Sequence, residues 1–137
     1  MNRVHCVLLV DDDFTSNFLS RTVIEDTDFA DHIHVSENGS EALKFIREKC
    51  SPEADDATHL CPELILLDIN MPVMDGFGFL EEFQKWQSVR KKPISVVMLT
   101  SSSNANDQER ARKYGITGYL DKPLTEDKIR GLAHSNS

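Results

Sequence analysis

Val4–Val10 reads VHCVLLV, and Asp11-Asp12-Asp13 ends it. The segment is short, mostly apolar and rich in β-branched valine. A strand with one wet face alternates apolar and polar residues. A strand covered on both faces runs continuously apolar instead. The segment therefore reads as a buried parallel strand that stops abruptly at charge. Leu64–Leu67 (LILL) and Ile94–Leu99 (ISVVML) repeat the pattern, the first stopping at Asp68 and the second at Thr100.

The segments between these strands follow helical spacing. Thr15–Glu25 places Leu19 and Val23 four apart, with Phe18 beside them. His32–Val35 is a weaker second strand. Asn38-Gly39 marks a loop turn, and Ser40 is the expected N-cap of a helix over Glu41–Lys49. Ala42, Leu43 and Ile46 give that helix an apolar stripe. Gly76–Trp86 is a third helix, with Leu80 and Phe83 three apart. Asn104–Tyr114 is a polar fourth helix, Gly118–Leu120 a short fifth strand, and Thr125–Ala133 a short last helix capped by Thr125. Cys50–Pro62 is polar and acidic and carries two prolines, so it is expected to be a loop insertion at about 50–62. Strand and helix alternate five times. That order predicts one α/β domain over 1–137, a parallel sheet with helices on both faces and right-handed crossovers.

Bulk properties narrow the function. The 137 residues suit one domain, and 39% hydrophobic content suits a folded core. A net charge of −8 disfavours direct nucleic-acid binding, which needs a basic face. Arg90, Lys91 and Lys92 read as a solvated loop. The three cysteines, Cys6, Cys50 and Cys61, are odd in number and lack metal-ligand spacing. The expectation is that they form no disulfide framework and that the protein is cytoplasmic. No apolar run reaches 18 residues and no signal peptide precedes the first strand, so no membrane partner is expected.

In an open parallel sheet the functional crevice lies beyond the carboxyl ends of the strands. Those ends carry Asp11, Asp12 and Asp13; Asp68 with Asn70; Thr100 with a serine run; and Lys122-Pro123. Asp11, Asp12 and Asp68 would repel one another unless a cation joined them. Oxygen-only donors suit Mg²⁺. With the metal bound, Asp68 can attack a phosphoryl group while Lys122 and Thr100 stabilise its oxygens. Each residue also has a plainer explanation. Asp13 at a strand end is often an N-cap, and a lone Thr or Lys after a strand is usually structural or solvated. Phe14, Phe77, Phe79 and Trp86 are expected to be packing residues. The joint arrangement over four strand ends favours a site.

These residues resemble the receiver domains of two-component response regulators, including the chemotaxis receivers and the single-domain type. The resemblance is carried by Leu9–Asp13, by Leu67-Asp68-Ile69-Asn70-Met71-Pro72-Val73-Met74-Asp75-Gly76, by Leu99-Thr100-Ser101 and by Gly118–Pro123. It covers nearly all of 1–133. It implies a flavodoxin-like, doubly wound (βα)5 fold with strand order 2-1-3-4-5. It implies that Asp68 is phosphorylated by a sensor histidine kinase or a histidine phosphotransfer protein. Mg²⁺ would be held by Asp12, Asp11, Asp68 and the backbone carbonyl of Asn70. Lys122 would contact the phosphoryl group, and Lys122-Pro123 would be cis. Thr100 and Tyr119 would form a switch that alters a helix 4, strand 5 and helix 5 face for a downstream protein. Ser102 and Asn70 stand where the family tunes the attacking water. On this reading the domain is not an enzyme in its own right, although it catalyses its own phosphorylation and dephosphorylation.

Three competing readings stand beside it. Asp11-Asp12-Asp13-Phe14-Thr15 fits the D-x-D-x-T pattern of haloacid-dehalogenase-type phosphatases, with Asp11 as nucleophile. That reading leaves Asp68–Gly76 unexplained. A flavodoxin-like cofactor binder would want a Ser/Thr/Gly-rich phosphate loop where three aspartates stand. A pseudo-receiver used only for protein binding would not need all the expected site types.

Overall fold

The computed structural model describes residues 3–50, 61–87, 94–101 and 104–135. Most of the expected loop insertion (51–60), the basic residues 90–92 and Ser102 lie outside them. In chain order the elements are β1 (Val4–Val10), α1 (Phe14–Asp26), β2 (Ala30–Ser36), α2 (Gly39–Lys49), β3 (Leu64–Leu67), α3 (Gly76–Gln87), β4 (Ser95–Thr100), α4 (Ala105–Arg112), β5 (Gly118–Asp121) and α5 (Glu126–Ser135). The five strands form one parallel sheet in the order β2-β1-β3-β4-β5. This is the expected doubly wound architecture.

Side-chain alternation along the strands divides the core in two. Leu8, Val10, Ile65, Leu67, Val96 and Met98 face Ala42, Leu43 and Ile46 of α2, Phe79, Leu80 and Phe83 of α3, and Ala111 of α4. Val7, Leu9, Leu64, Leu66, Val97 and Leu99 face Ile24 of α1 and Ile129 and Leu132 of α5. All four residues of β3, the central strand, are buried, as the LILL run requires. β2 is an edge strand and mostly half-exposed, which explains its weak apolar signal.

Three local expectations are corrected. The inward face of α1 is Ser20 and Ile24, not Phe18 and Leu19, which are 59% and 44% exposed. Asp13 caps this helix by accepting from the Ser16 amide, and the Asn17 side chain donates to the Asp11 carbonyl. These bonds tie the first turn of α1 to the end of β1 and accompany a phase in which polar Ser20 faces inward. Phe14 is 81% exposed and packs no core, whereas Phe77 and Phe79 are buried and Trp86 packs against the core, its ring tilted beside Phe83, as expected. The cap of α2 is Asn38, which accepts from the Glu41 amide at 2.9 Å, instead of Ser40. The helix starts earlier because Gly39 reaches Met74 across the α2–α3 gap, its amide donating to the Met74 carbonyl at 2.9 Å.

The expectation of no disulfide framework is also corrected. Cys50 and Cys61 form a disulfide, and buried Cys6 is free. Cys50 closes α2 and Cys61 stands just before β3. Folding brings their Cα atoms to 4.9 Å, a juxtaposition that 11 residues of sequence separation do not disclose. Chain-entropy arguments assign a cross-link over a loop of this size about 3 kcal/mol. Dithiothreitol is expected to lower the unfolding free energy by about 2–3 kcal/mol in urea melts. The Cys50→Ser/Cys61→Ser protein should start at that lower value and ignore the reductant.

Candidate functional site

Parallel strands deliver their carboxyl ends to one edge of the sheet, and the expected residues meet there. Asp11 continues β1, and its amide donates to the Ser36 carbonyl at the end of β2. Asp68 continues β3, and its amide donates to the Val10 carbonyl. These backbone bonds set the two carboxylates side by side. Asp11 is 6% exposed and Asp68 7%, while Asp12 points to solvent. One carboxylate oxygen from each of Asp11, Asp12 and Asp68 lies within 4.8 Å of the others. Such a cluster of hard oxygen donors could hold a divalent cation.

Glycine makes the Asp68 arm possible. A Cβ on Gly76 would sit 2.4 Å from the Asp68 carbonyl oxygen and 3.0 Å from Ile69 Cα. Only glycine lets α3 start this close to the strand end. The Gly76 amide donates to the Ile69 carbonyl at 2.8 Å, folding the loop back. Asn70 is exposed two residues beyond Asp68. In the same loop Val73 adopts φ +68°, a conformation unfavourable for a β-branched residue, and the Met74 amide donates to the Pro72 carbonyl across it.

Lys122 supplies the cation of the site. Its Nζ lies 2.6 Å from Asp11 Oδ2 and 3.2 Å from Asp68 Oδ2. Burial alone would lower the ammonium pKa, but the hydrogen bond and charge of Asp11, then of Asp68, outweigh it and raise the pKa above the ordinary lysine range. The solvated-lysine reading fails here. The backbone of Lys122 donates to the Thr100 carbonyl at 3.0 Å, so β4 sets the start of this arm. Lys122-Pro123 is cis, as expected.

Both oxygens of Asp68 accept bonds, Oδ1 from the Ile69 amide at 2.8 Å and Oδ2 from Lys122. Asp11 Oδ1 accepts from the Asp13 amide at 2.9 Å. Thr100 is fully buried at the end of β4. Tyr119 is half-buried in β5, pairs with Met98, and packs against the α2–α3 core. The structure thus gathers Asp11, Asp12, Asp68 and Lys122 into one cluster, with Thr100 joined to it through the Lys122 backbone. Asp13 is a helix cap outside it. Sequence reasoning missed Asn17 and Ser36, which hold the Asp11 backbone, because each contact depends on how α1 and β2 lie against the end of β1.

The family model for the response regulator receiver domain matches residues 7–134. The chemotaxis protein CheY of Halobacterium salinarum is 30% identical over 124 residues, 90% of this chain and 88% of that protein. The sensor histidine kinase GacS of Pseudomonas protegens is 30% identical over 93% of this chain, but the chain spans only 13% of GacS. A two-component response regulator from Cytophaga hutchinsonii superposes with a TM-score of 0.82 at 30% identity, covering 97% of this chain and 96% of that one. A response regulator solved in a Mn²⁺-bound form has a TM-score of 0.70 at 28% identity, covering 95% and 90%.

The Lys122 bridge has measurable consequences. Lys122→Met should destabilise the metal-free protein by about 1–3 kcal/mol, because two buried carboxylates lose their charged donor. The same change should tighten Mg²⁺ binding by roughly tenfold, about 1.4 kcal/mol, since the ammonium no longer competes for them. A lysine pKa raised by folding contributes stability that is fully present below the unfolded value of about 10.4 and lost as pH rises through the folded value. Wild type should therefore lose stability more steeply than Lys122→Met in strong alkali. Urea melts in EDTA across pH and Mg²⁺ titrations check all three outcomes.

Proposed function

This chain belongs to the response regulator receiver domain family of two-component signalling, and on that premise we propose that Asp68 is its phosphoacceptor. The observation that carries the reading is the convergence of Asp68, Asp11, Asp12 and Lys122 at one end of the sheet. Asp11, Asp12, Asp68 and the backbone carbonyl of Asn70 would hold Mg²⁺. The donor set is all oxygen, which fits a hard cation. Bound there, the metal would neutralise phosphoryl oxygens and relieve carboxylate repulsion.

The donor is a phosphohistidine on a sensor kinase or phosphotransfer protein. The phosphorus–nitrogen bond breaks, an Asp68 carboxylate oxygen bonds to phosphorus, and the departing imidazole takes a proton. Lys122, released from Asp11, turns its ammonium to the transferred group. It and Thr100 stabilise the equatorial oxygens, which is the main task of phosphoryl-transfer catalysis. The domain is a signalling module that promotes its own phosphorylation and hydrolysis. The Asp11-nucleophile alternative is disfavoured by the family match, which covers residues 7–134.

Docking of a protein donor is supported by exposed apolar residues near the acceptor in sequence and fold. Phe14 and Phe18 lie one turn apart at the start of α1, and Val73, five residues after Asp68, is 87% exposed. Output is assigned to the α4, β5 and α5 face. Thr100 would move to the phosphoryl group and Tyr119 would turn inward, a differential contact of the kind a population shift requires. A kinase that uses ATP places the domain in the cytoplasm. The Cys50–Cys61 bond is unusual for a strongly reducing compartment, where such bonds tend to be regulatory.

Acetyl phosphate with Mg²⁺ is expected to add one base-labile phosphoryl group, mapped to Asp68 by mass spectrometry and abolished in Asp68→Asn. Phosphate on Asp11 would overturn the assignment. Beryllofluoride is expected to shift NMR resonances of α4, β5 and α5 as well as the pocket, and Thr100→Ala should confine the shifts to the pocket. Shifts limited to the pocket in wild type would refute the Thr100–Tyr119 switch.

A further inference from the structure

Lys122 reaches the carboxylates from a turn between β5 and α5, and three backbone polar atoms around it are held. Its own amide donates to the Thr100 carbonyl. The carbonyls on either side, Asp121 and Pro123, converge on a single donor, the ammonium of Lys128, at 2.6 and 2.9 Å. Lys128 lies in the first turn of α5. Its amide donates to Thr125 Oγ1 at 3.3 Å, and its neighbour Ile129 is buried in the second core. The helix that carries the ammonium is thus anchored independently of the turn it holds.

We propose that Lys128 is a positioning residue that fixes the turn bearing Lys122, and so the reach of the Lys122 ammonium into the pocket. A carbonyl bonded to a charged donor is held more firmly than one bonded to water. Two carbonyls shared by one ammonium fix the mutual orientation of the Asp121–Lys122 and Pro123–Leu124 peptide planes, on either side of the Lys122-Pro123 bond. Without Lys128, the turn remains tied to β4 at one end and to buried Leu124 at the other. Its central carbonyls would face water, and the long Lys122 side chain would sample a wider arc. Phosphoryl transfer depends on charge placed where it develops, so the loss should appear in rate. Lys128 contacts neither Asp11 nor Asp68 among the described bonds, so its effect is routed through Lys122.

The test compares Lys128→Met, which keeps the side-chain length but removes charge and donors, with Lys128→Arg, which keeps both. The first readout needs no phosphorylation: the ¹H–¹⁵N signal of the Lys122 ammonium in the metal-free protein. In Lys128→Met it is expected to broaden or vanish, and in Lys128→Arg to persist. The second readout rests on Asp68 being the phosphoacceptor. The maximal rate of phosphorylation by acetyl phosphate should fall about fivefold in Lys128→Met, within the range that misplacement of a catalytic group produces. Mg²⁺ affinity should stay within about twofold, and Lys128→Arg should recover most of the rate. An unchanged Lys122 signal with a wild-type maximal rate in Lys128→Met would overturn the proposal. So would a rate loss that arginine does not rescue and that follows a loss of stability in urea. Failure of the wild type to be phosphorylated would count against the Asp68 reading alone, because the ammonium signal tests Lys128 separately.

Discussion

Two carboxylates buried side by side at the ends of adjacent strands are the constraint on which this structure depends. Asp11 and Asp68 follow β1 and β3, and the backbone bonds of a parallel sheet leave them no freedom to separate. Two unit charges at about 4 Å repel by about 4 kcal/mol at an effective dielectric near 20, before solvent screening. The Lys122 ammonium, in contact with both, offsets this. A cluster of oxygen donors that could hold a divalent cation thus carries an ammonium of its own. Under the proposed function, cation binding, lysine release and phosphoryl recognition would be parts of one electrostatic exchange.

Several remote features serve that exchange by placing backbone. Gly76 lets α3 begin against the Asp68 carbonyl. Gly39 and Gly78 make room for the Met74 side chain, whose Cγ would lie 2.8 and 3.0 Å from a Cβ at those positions. The loop after Asp68 is therefore gripped by both α2 and α3, while Val73 at its tip stays exposed with a positive φ. Strain of this kind persists where surrounding structure over-determines a loop, and such loops concentrate at functional sites. Lys128 plays the corresponding part on the Lys122 side.

The same sheet explains why some helices read clearly and others did not. α2 and α3 cover a deep face and present Ala42, Leu43, Ile46, Leu80 and Phe83 inward, so apolar spacing marks them. α1 begins beside the acidic pocket, where Asp13 caps it and Asn17 holds the Asp11 backbone. Its apolar residues Phe14 and Phe18 are left on the surface. Hydrophobicity there no longer reports the core: Phe18 and Leu19 are exposed, and of the expected stripe Val23 alone packs against the core. The disulfide was illegible for a related reason. Cysteine pairing depends on where α2 ends and β3 begins in space, and a spacing rule made for short disulfide-rich chains says nothing about it.

The alternation of five strands and five helices, the parallel sheet and the candidate pocket are legible along the chain alone. A strand covered on both faces must be continuously apolar, and the break to Asp11, Asp68 or Thr100 marks its carboxyl end. Chemistry then followed from which residue types shared that edge. Packing in three dimensions is what makes Lys122 bridge Asp11 and Asp68, exposes Asp12 while burying Asp11, joins Cys50 to Cys61 and sets Lys128 against the Lys122 turn. Each of these is a contact between segments whose separation, orientation and helical phase are set by packing. Local sequence specifies which elements form. The close approach of two side chains from different elements is fixed only once the sheet and both helix layers are assembled around them.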